Sequence, residues 1–207
     1  MSSEPTIHLH ERDLPEGLAL TGEVAVDTEA MGLHHGRDRL CLVQLSAGDG
    51  VCHLVRIERG QKQAPVLARL LADPTVTKLF HFGRFDIALL RHDLGVLTEP
   101  VFCTKIASKL ARTYTDRHSL RELCKELLGV DLSKAQQSSD WGHHELSEAQ
   151  QLYAASDVLH LHALKTKLET MLRREGRLEL ASSCFAFLPT RAELDLAGWP
   201  DVDLFAY

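Results

Sequence analysis

Apolar residues fall in short β-type runs through the first half of the chain and in helical stripes through the second. Val24 to Glu29 (VAVDTE), Leu40 to Ser46 (LCLVQLS) and Val51 to Ile57 (VCHLVRI) have strand length and are rich in β-branched residues. Ala47-Gly48-Asp49-Gly50 between the last two is hairpin chemistry, so three antiparallel strands are predicted. Pro65 suits the first position of a helix to about Leu71. Thr77 to Phe82 then reads as a further strand and Phe85 to Leu94 as a short helix, a crossover that favours parallel pairing. The second half is helical. Ser119 and Glu122 form a capping box for a helix that Gly129 can close, and Ser147 and Gln150 form another for a long helix toward Arg174. Leu152, Ala155, Leu159, Leu161 and Leu168 give that helix its apolar stripe, with Tyr153 and Asp157 on a neighbouring face. No fixed-period repeat and no linker-like stretch divides the chain, so one α/β unit is expected over 1–207.

Composition narrows the class. The chain has 207 residues, 44% hydrophobic and 25% charged, with only 7 Pro and 13 Gly, which suits one globular core and excludes collagenous or low-complexity classes. No apolar stretch reaches the roughly 20 residues of a bilayer span. The N-terminus MSSEPTIHLHERDL mixes charges where a signal peptide needs an apolar run, so a cytoplasmic protein is expected. Five scattered cysteines without a C-x-x-C pair read as reduced thiols. Twelve histidines invite a zinc reading, yet there is no H-E-x-x-H, His160 and His162 diverge on a helix, and His34-His35 and His143-His144 are adjacent pairs; zinc is not favoured. A net charge of −6 argues against a long basic track for nucleic acid. The charge is uneven: residues 1–29 carry seven acids against Arg12, whereas 101–128 carry six Lys/Arg against three acids.

The chemistry is carried by acids. Asp27 and Glu29 are two apart at the end of an apolar strand, so the pleat projects both to one face. Asp86 stands where the chain leaves a strand, turns at Gly83 and begins a helix. Tyr153 and Asp157 are i, i+4 on a helix, with phenol and carboxylate one turn apart. Each feature has an ordinary reading: a strand-end turn, a helix-dipole acid, a surface hydrogen bond. Together they supply four carboxylates in the order a divalent-metal nuclease needs, and hard oxygen ligands select Mg²⁺ or Mn²⁺.

These five residues resemble the signature of the DEDDy branch of the DEDD 3′–5′ exonucleases, specifically the ribonuclease D group. The likeness continues through Arg39-Leu-Cys-Leu-Val-Gln44, Phe80-His81-Phe82, Cys103-Thr104-Lys105 and Trp141. Leu152, where the histidine branch would carry His, fits the tyrosine branch. The phrases His81-Phe-Gly-Arg-Phe-Asp86, Arg112-Thr-Tyr-Thr-Asp-Arg-His118, Gln136-Gln-Ser-Ser-Asp-Trp141 and Asp195-Leu-Ala-Gly-Trp199 are similar to the compact nano-RNase C type, nearly end to end.

The resemblance implies an RNase-H-like fold, α/β with a mixed five-stranded sheet flanked by helices. Its core would span about 22–175, followed by a C-terminal docking helix and tail over 176–207 and no accessory RNA-binding domain. It implies two-metal-ion removal of 5′-mononucleotides from very short single-stranded RNA, dinucleotides above all, and a homo-oligomer, with octameric rings in the family. A general RNA or DNA 3′–5′ exonuclease and a non-catalytic RNA-binding scaffold are the alternatives. The expected metal ligands are Asp27, Glu29, Asp86 and Asp157, with Asp27 shared between two Mg²⁺ or Mn²⁺ ions and Tyr153 orienting the attacking water. Thr28, Met31, Gly32 and Leu33 follow the first acids and are expected at the substrate, with an apolar residue wedged against the bases. His81 and Phe82 are expected nucleotide contacts. Lys105, Ser108, Arg112, Arg117 and Ser139 are candidates for a terminal phosphate. The late aromatics Phe185, Trp199, Phe205 and Tyr207 must dock either on their own domain or on a neighbouring subunit.

Overall fold

Continuous apolar runs in the middle of a sheet require cover on both faces, and strand β3 (Leu40–Ser46) is buried along its whole length. The computed structural model describes residues 5–206 except 134 and 137. Around β3 it builds one mixed sheet from β1 (Thr6–Glu11), β2 (Glu23–Ala30), β4 (Val51–Arg56), β5 (Thr77–Phe80) and β6 (Val101–Cys103). The spatial order is β1-β4-β3-β2-β5-β6. β2, β3 and β4 pair antiparallel as the hairpin signal predicts, and β1–β4, β2–β5 and β5–β6 are parallel.

The sheet has six strands, not five. β1 escapes pattern reading because TIHLHE is an edge strand in which polar residues and histidines interrupt any apolar stripe, and only Ile7 packs on the core. The expected strand to Phe82 stops at Phe80, leaving His81 and Phe82 beyond the sheet.

Helices α1 (Pro65–Ala72), α2 (Arg84–Leu94) and α3 (Thr104–Ala111) connect the later strands. α4 (Leu120–Leu123) starts at the predicted Ser119 capping box, continues as a π-helical turn over Cys124–Leu128 and ends at Gly129, whose φ of 72° is the left-handed cap glycine tolerates. The expected long helix is two helices, α5 (Glu148–Leu159) and α6 (Leu161–Arg174), broken at His160. The break has a packing reason: α5 lies across β2, β3 and β4, whereas α6 turns to pack on α3. α5 approaches the sheet closely because its inward residues, Ala154, Ala155 and Val158, are small, and this approach carries Tyr153 and Asp157 over the end of β2.

The C-terminal helix α7 (Leu178–Leu196) packs on α2 and β6. Phe185 lies 4.5 Å from Phe102, and Arg84 forms two 2.6 Å hydrogen bonds to Asp195, which also accepts from Arg191. Phe185 therefore docks on its own chain. Trp199 and Phe205 stay exposed, and Tyr207 lies outside the described residues. Among the described residues no helix is long and apolar enough to cross a membrane.

Candidate active site

Strand alternation and a helix start assemble the acids from three distant stretches. Asp27 and Glu29 leave β2 on the α5 side, next to a β-bulge at Glu29/Ala30 that ends the ladder. Thr28, between them, turns the other way and donates its hydroxyl to Asp86 Oδ1 at 2.5 Å, both residues being buried. Asp86 sits in the first turn of α2. The turn before it needs Gly83, where a Cβ would come within 2.6 Å of Phe80 Cβ. Asp157 comes down from α5, and one carboxylate oxygen each from Asp27, Glu29 and Asp157 lie within 4.8 Å of one another.

Four anionic groups so placed are unfavourable unless protonated or neutralised. Burial, then the charge of Asp86, Asp157 and Glu29, raises Asp27 well above the usual carboxylate range. Burial with Asp157 and Asp86 pushes Glu29 up to about 9. Burial also pushes Asp86 to about 7 against the Thr28 hydrogen bond, and burial with Asp86 pushes Asp157 to about 7 against one from Tyr153. The phenol of Tyr153 is held above its ordinary value by burial and by the charges of Asp157, Glu29 and Asp27. A cluster of hard oxygens with no cation among its side chains suits a divalent ion such as Mg²⁺ or Mn²⁺.

The sign of the pH effect follows. Carboxyls whose folded pKa is raised bind more protons folded than unfolded, so without metal their contribution to stability falls as pH rises through the interval from their ordinary values near 4 to about 9. The melting-temperature gap between Mn²⁺-loaded and EDTA-treated protein should therefore widen from about pH 6 to about pH 9. A gap that is constant or narrows would contradict this electrostatic picture.

Asp27, Glu29 and Asp86 line a cleft of about 920 Å³ whose walls include Met31, Leu33, His81, Phe82, Ser139 and Trp141. Thr28 and Gly32 also line it, although the Thr28 hydroxyl is committed to Asp86 and so acts on an acid and not on a ligand. Met31 and Leu33 are 52% and 80% exposed, so neither packs into the core. Phe82 has a φ of 68°, an outlier for a bulky residue, and presents a half-exposed ring to the cleft with Lys105 Nζ 4.0 Å above it. Lys105 thus brings a cation to the rim. His81 hydrogen-bonds Thr104 Oγ1 through Nδ1 at 2.9 Å, and burial together with Lys105 pushes it down to about 3, so its imidazole is neutral.

The structure does not bring Ser108, Arg112 and Arg117 to the cleft. Ser108 is fully buried and bonded to His118 Nδ1 at 2.8 Å; Arg112, 1% exposed, donates to Glu126 and to the carbonyl of Arg117. Arg117 is paired with Glu122 and Glu126. Arg112 and Arg117 of this basic segment are thus committed to internal ion pairs.

Two further residues border the acids. Trp141, with its ring 6.1 Å from that of Tyr153, closes the cleft wall. Gln44 pairs opposite Asp27 on β3, and its fully buried amide has no hydrogen-bond partner among the described residues. The one amide in the otherwise apolar run LCLVQL was the available signal for Gln44.

Comparison with known proteins agrees with this geometry. The family profile described as 3′–5′ exonuclease matches residues 8–173. The chain is 38% identical over 165 residues to ribonuclease D of Gluconacetobacter diazotrophicus, covering 80% of this chain and 42% of that protein. It thus spans about two fifths of the length of the curated relatives it matches. Among solved structures, Brucella melitensis NrnC bound to pGG is 58% identical with a TM-score of 0.95, covering 98% of this chain and 99% of that one. The same Brucella protein with bound Mg²⁺ superposes with a TM-score of 0.94 at 57% identity, over 98% and 99% of the two chains.

Proposed function

The chain belongs to the 3′–5′ exonuclease family, within its ribonuclease D group and of the NrnC type, and from that premise we propose that it hydrolyses very short single-stranded RNA from the 3′ end, releasing 5′-mononucleotides. The observation that carries the proposal is the gathering of Asp27, Glu29 and Asp157 oxygens within 4.8 Å of one another, with Asp86 beside them and Tyr153 bonded to Asp157, where Asp27, Glu29 and Asp86 line a bounded cleft. A cleft of about 920 Å³ is of the size that encloses a small ligand, and the net charge of −6 offers no long basic track. The Brucella relative's complex with pGG and its Mg²⁺-bound form support both the substrate length and the metal.

Asp27, Glu29 and Asp157 would hold one divalent ion, with Asp27 shared toward a second beside Asp86. When bound, such a pair supplies Lewis-acid charge that stabilises attack on the phosphodiester and departure of the 3′ oxygen. The chain's own groups do the rest. Tyr153, neutral across the physiological range, donates and accepts hydrogen bonds, which suits orienting the water and not abstracting its proton. Thr28 holds Asp86 in one orientation. Phe82 offers a face for base stacking, Met31 and Leu33 offer apolar edges between which a base can be wedged, and Lys105 meets a phosphate at the rim. Ser139 belongs to the same wall, with its hydroxyl donating to the Gln136 carbonyl at 2.8 Å.

A homo-oligomer is part of the proposal, supported by the exposed Phe187, Trp199, Leu204 and Phe205 on α7 and the tail beyond it. A cytoplasmic setting accords with five free cysteines.

Labelled RNA and DNA from about two to twenty nucleotides, digested with Mn²⁺, test the reading. Dinucleotides should be consumed fastest and RNA should leave mononucleotides only. Accumulation of dinucleotides as a limit product would overturn the short-RNA proposal while leaving exonuclease chemistry intact, and no cleavage of any substrate would favour a binding scaffold.

A further inference from the structure

Three imidazoles gather on the outer sheet edge, on strands that contribute nothing to the carboxylate site. His8 and His10 are two apart on β1 and project to the same side. β1 runs parallel to β4 with His8 in register with His53. The ring centroids form a triangle of 5.4 Å (His8–His53), 5.3 Å (His10–His53) and 6.4 Å (His8–His10). His10 Nε2 and His53 Nδ1 are 3.0 Å apart.

Those spacings approach the ones a tetrahedral ion requires. With metal–nitrogen bonds of about 2.0–2.1 Å, two imidazole nitrogens on one ion lie roughly 3.3 Å apart and their ring centroids roughly 5 Å apart. The His10 and His53 nitrogens are held at about that separation by a mutual hydrogen bond, which an ion would replace, and the exposed His8 ring must rotate toward them to become the third donor. His53 is 8% exposed, whereas His8 is exposed and His10 half-buried, so a water can reach the cluster as fourth ligand. Burial and the neighbouring imidazoles lower the pKa of His53, and burial with His8 lowers that of His10, in the direction that favours metal binding over protonation. Asp49 is the acid whose charge reaches His53.

We propose that His8, His10 and His53 form a second metal site, selective for a late first-row divalent ion such as Zn²⁺, which staples edge strand β1 to β4. Its donor set is all nitrogen, whereas the carboxylate cluster is all oxygen, so the two sites discriminate between ions by ligand chemistry. The His-x-His pair on one strand with a third histidine on the next is invisible to local spacing rules, since the third ligand lies 43 residues away.

Cobalt(II) separates the two sites, because a four-coordinate nitrogen site absorbs strongly in the visible and a six-coordinate oxygen site only faintly. Full-length protein in excess Mg²⁺ near neutral pH, titrated with Co²⁺, should develop the intense bands to one equivalent, and one equivalent of Zn²⁺ should bleach them. His10→Gln should lose the bands and bind one zinc equivalent fewer, with Mg²⁺-dependent nuclease activity unchanged. His8→Gln, altered at an exposed ring, provides the same test should His10→Gln fold poorly. Only the faint six-coordinate spectrum in the parent protein, or intense bands that survive in either folded variant, would overturn the proposal.

Discussion

Asp27→Asn is expected to eliminate nuclease turnover, by at least about 10⁴-fold, on the scale seen when one member of an interdependent catalytic set is removed, while leaving the metal-free protein as stable as the parent or more so. The two effects have one cause. Asn fills nearly the same volume but removes a carboxyl that is buried and crowded by Asp86, Asp157 and Glu29, so the cost of its ionisation disappears from the metal-free protein. In the proposed site the same change also removes an oxygen ligand of the metal ions. A merely structural Asp27 would behave the other way, its replacement lowering the melting temperature and sparing turnover. Measuring kcat and metal-free melting on the same preparation separates the cases, and near-parental turnover in Asp27→Asn would remove it from the active site.

Tyr153→Phe should lower kcat by about 10²- to 10⁴-fold, the range for a positioned proton-handling group, with KM little changed. Phe keeps the ring packed near Trp141 and removes only the hydroxyl beside Asp157, so metal binding should persist. A loss carried by kcat and kcat/KM alike marks an interaction made in the transition state. Burial and the charges of Asp157, Glu29 and Asp27 hold the phenol above its ordinary value, which accords with the proposed orienting role. A variant with parental kcat would show that the hydroxyl is dispensable, and one with a raised KM alone would move Tyr153 from catalysis to binding.

How far the sequence discloses this arrangement depends on the range of the interaction. Local rules served well at Ser119 and Ser147, where both capping boxes form, and at Asp27 and Glu29, whose shared face follows from the pleat alone. The D-T-E, Asp86 and Y-x-x-x-D motifs located the acids. What they could not disclose is that Thr28 turns away to hold Asp86, a contact spanning 58 residues.

Arg112 illustrates the opposite failure. Its position in a basic segment suggested a phosphate ligand, but charge counts carry no burial, and the side chain lies inside the fold against Glu126. Edge strand β1 leaves no mark in the pattern because an edge needs no apolar stripe. The break at His160 is hidden because the leucine stripe runs on through it, and only tertiary packing turns α6 onto α3. Gln44 lay within a motif already noted, yet its position opposite Asp27 is a matter of register, which sequence alone does not fix.

Calorimetric titration with Mn²⁺ of the parent protein and Asp27→Asn, side by side near neutral pH, tests the central claim most directly. The account predicts that the parent binds two ions with net release of protons from the carboxyl cluster, and that Asp27→Asn loses at least one of them. Identical stoichiometry and affinity in the two proteins would contradict it.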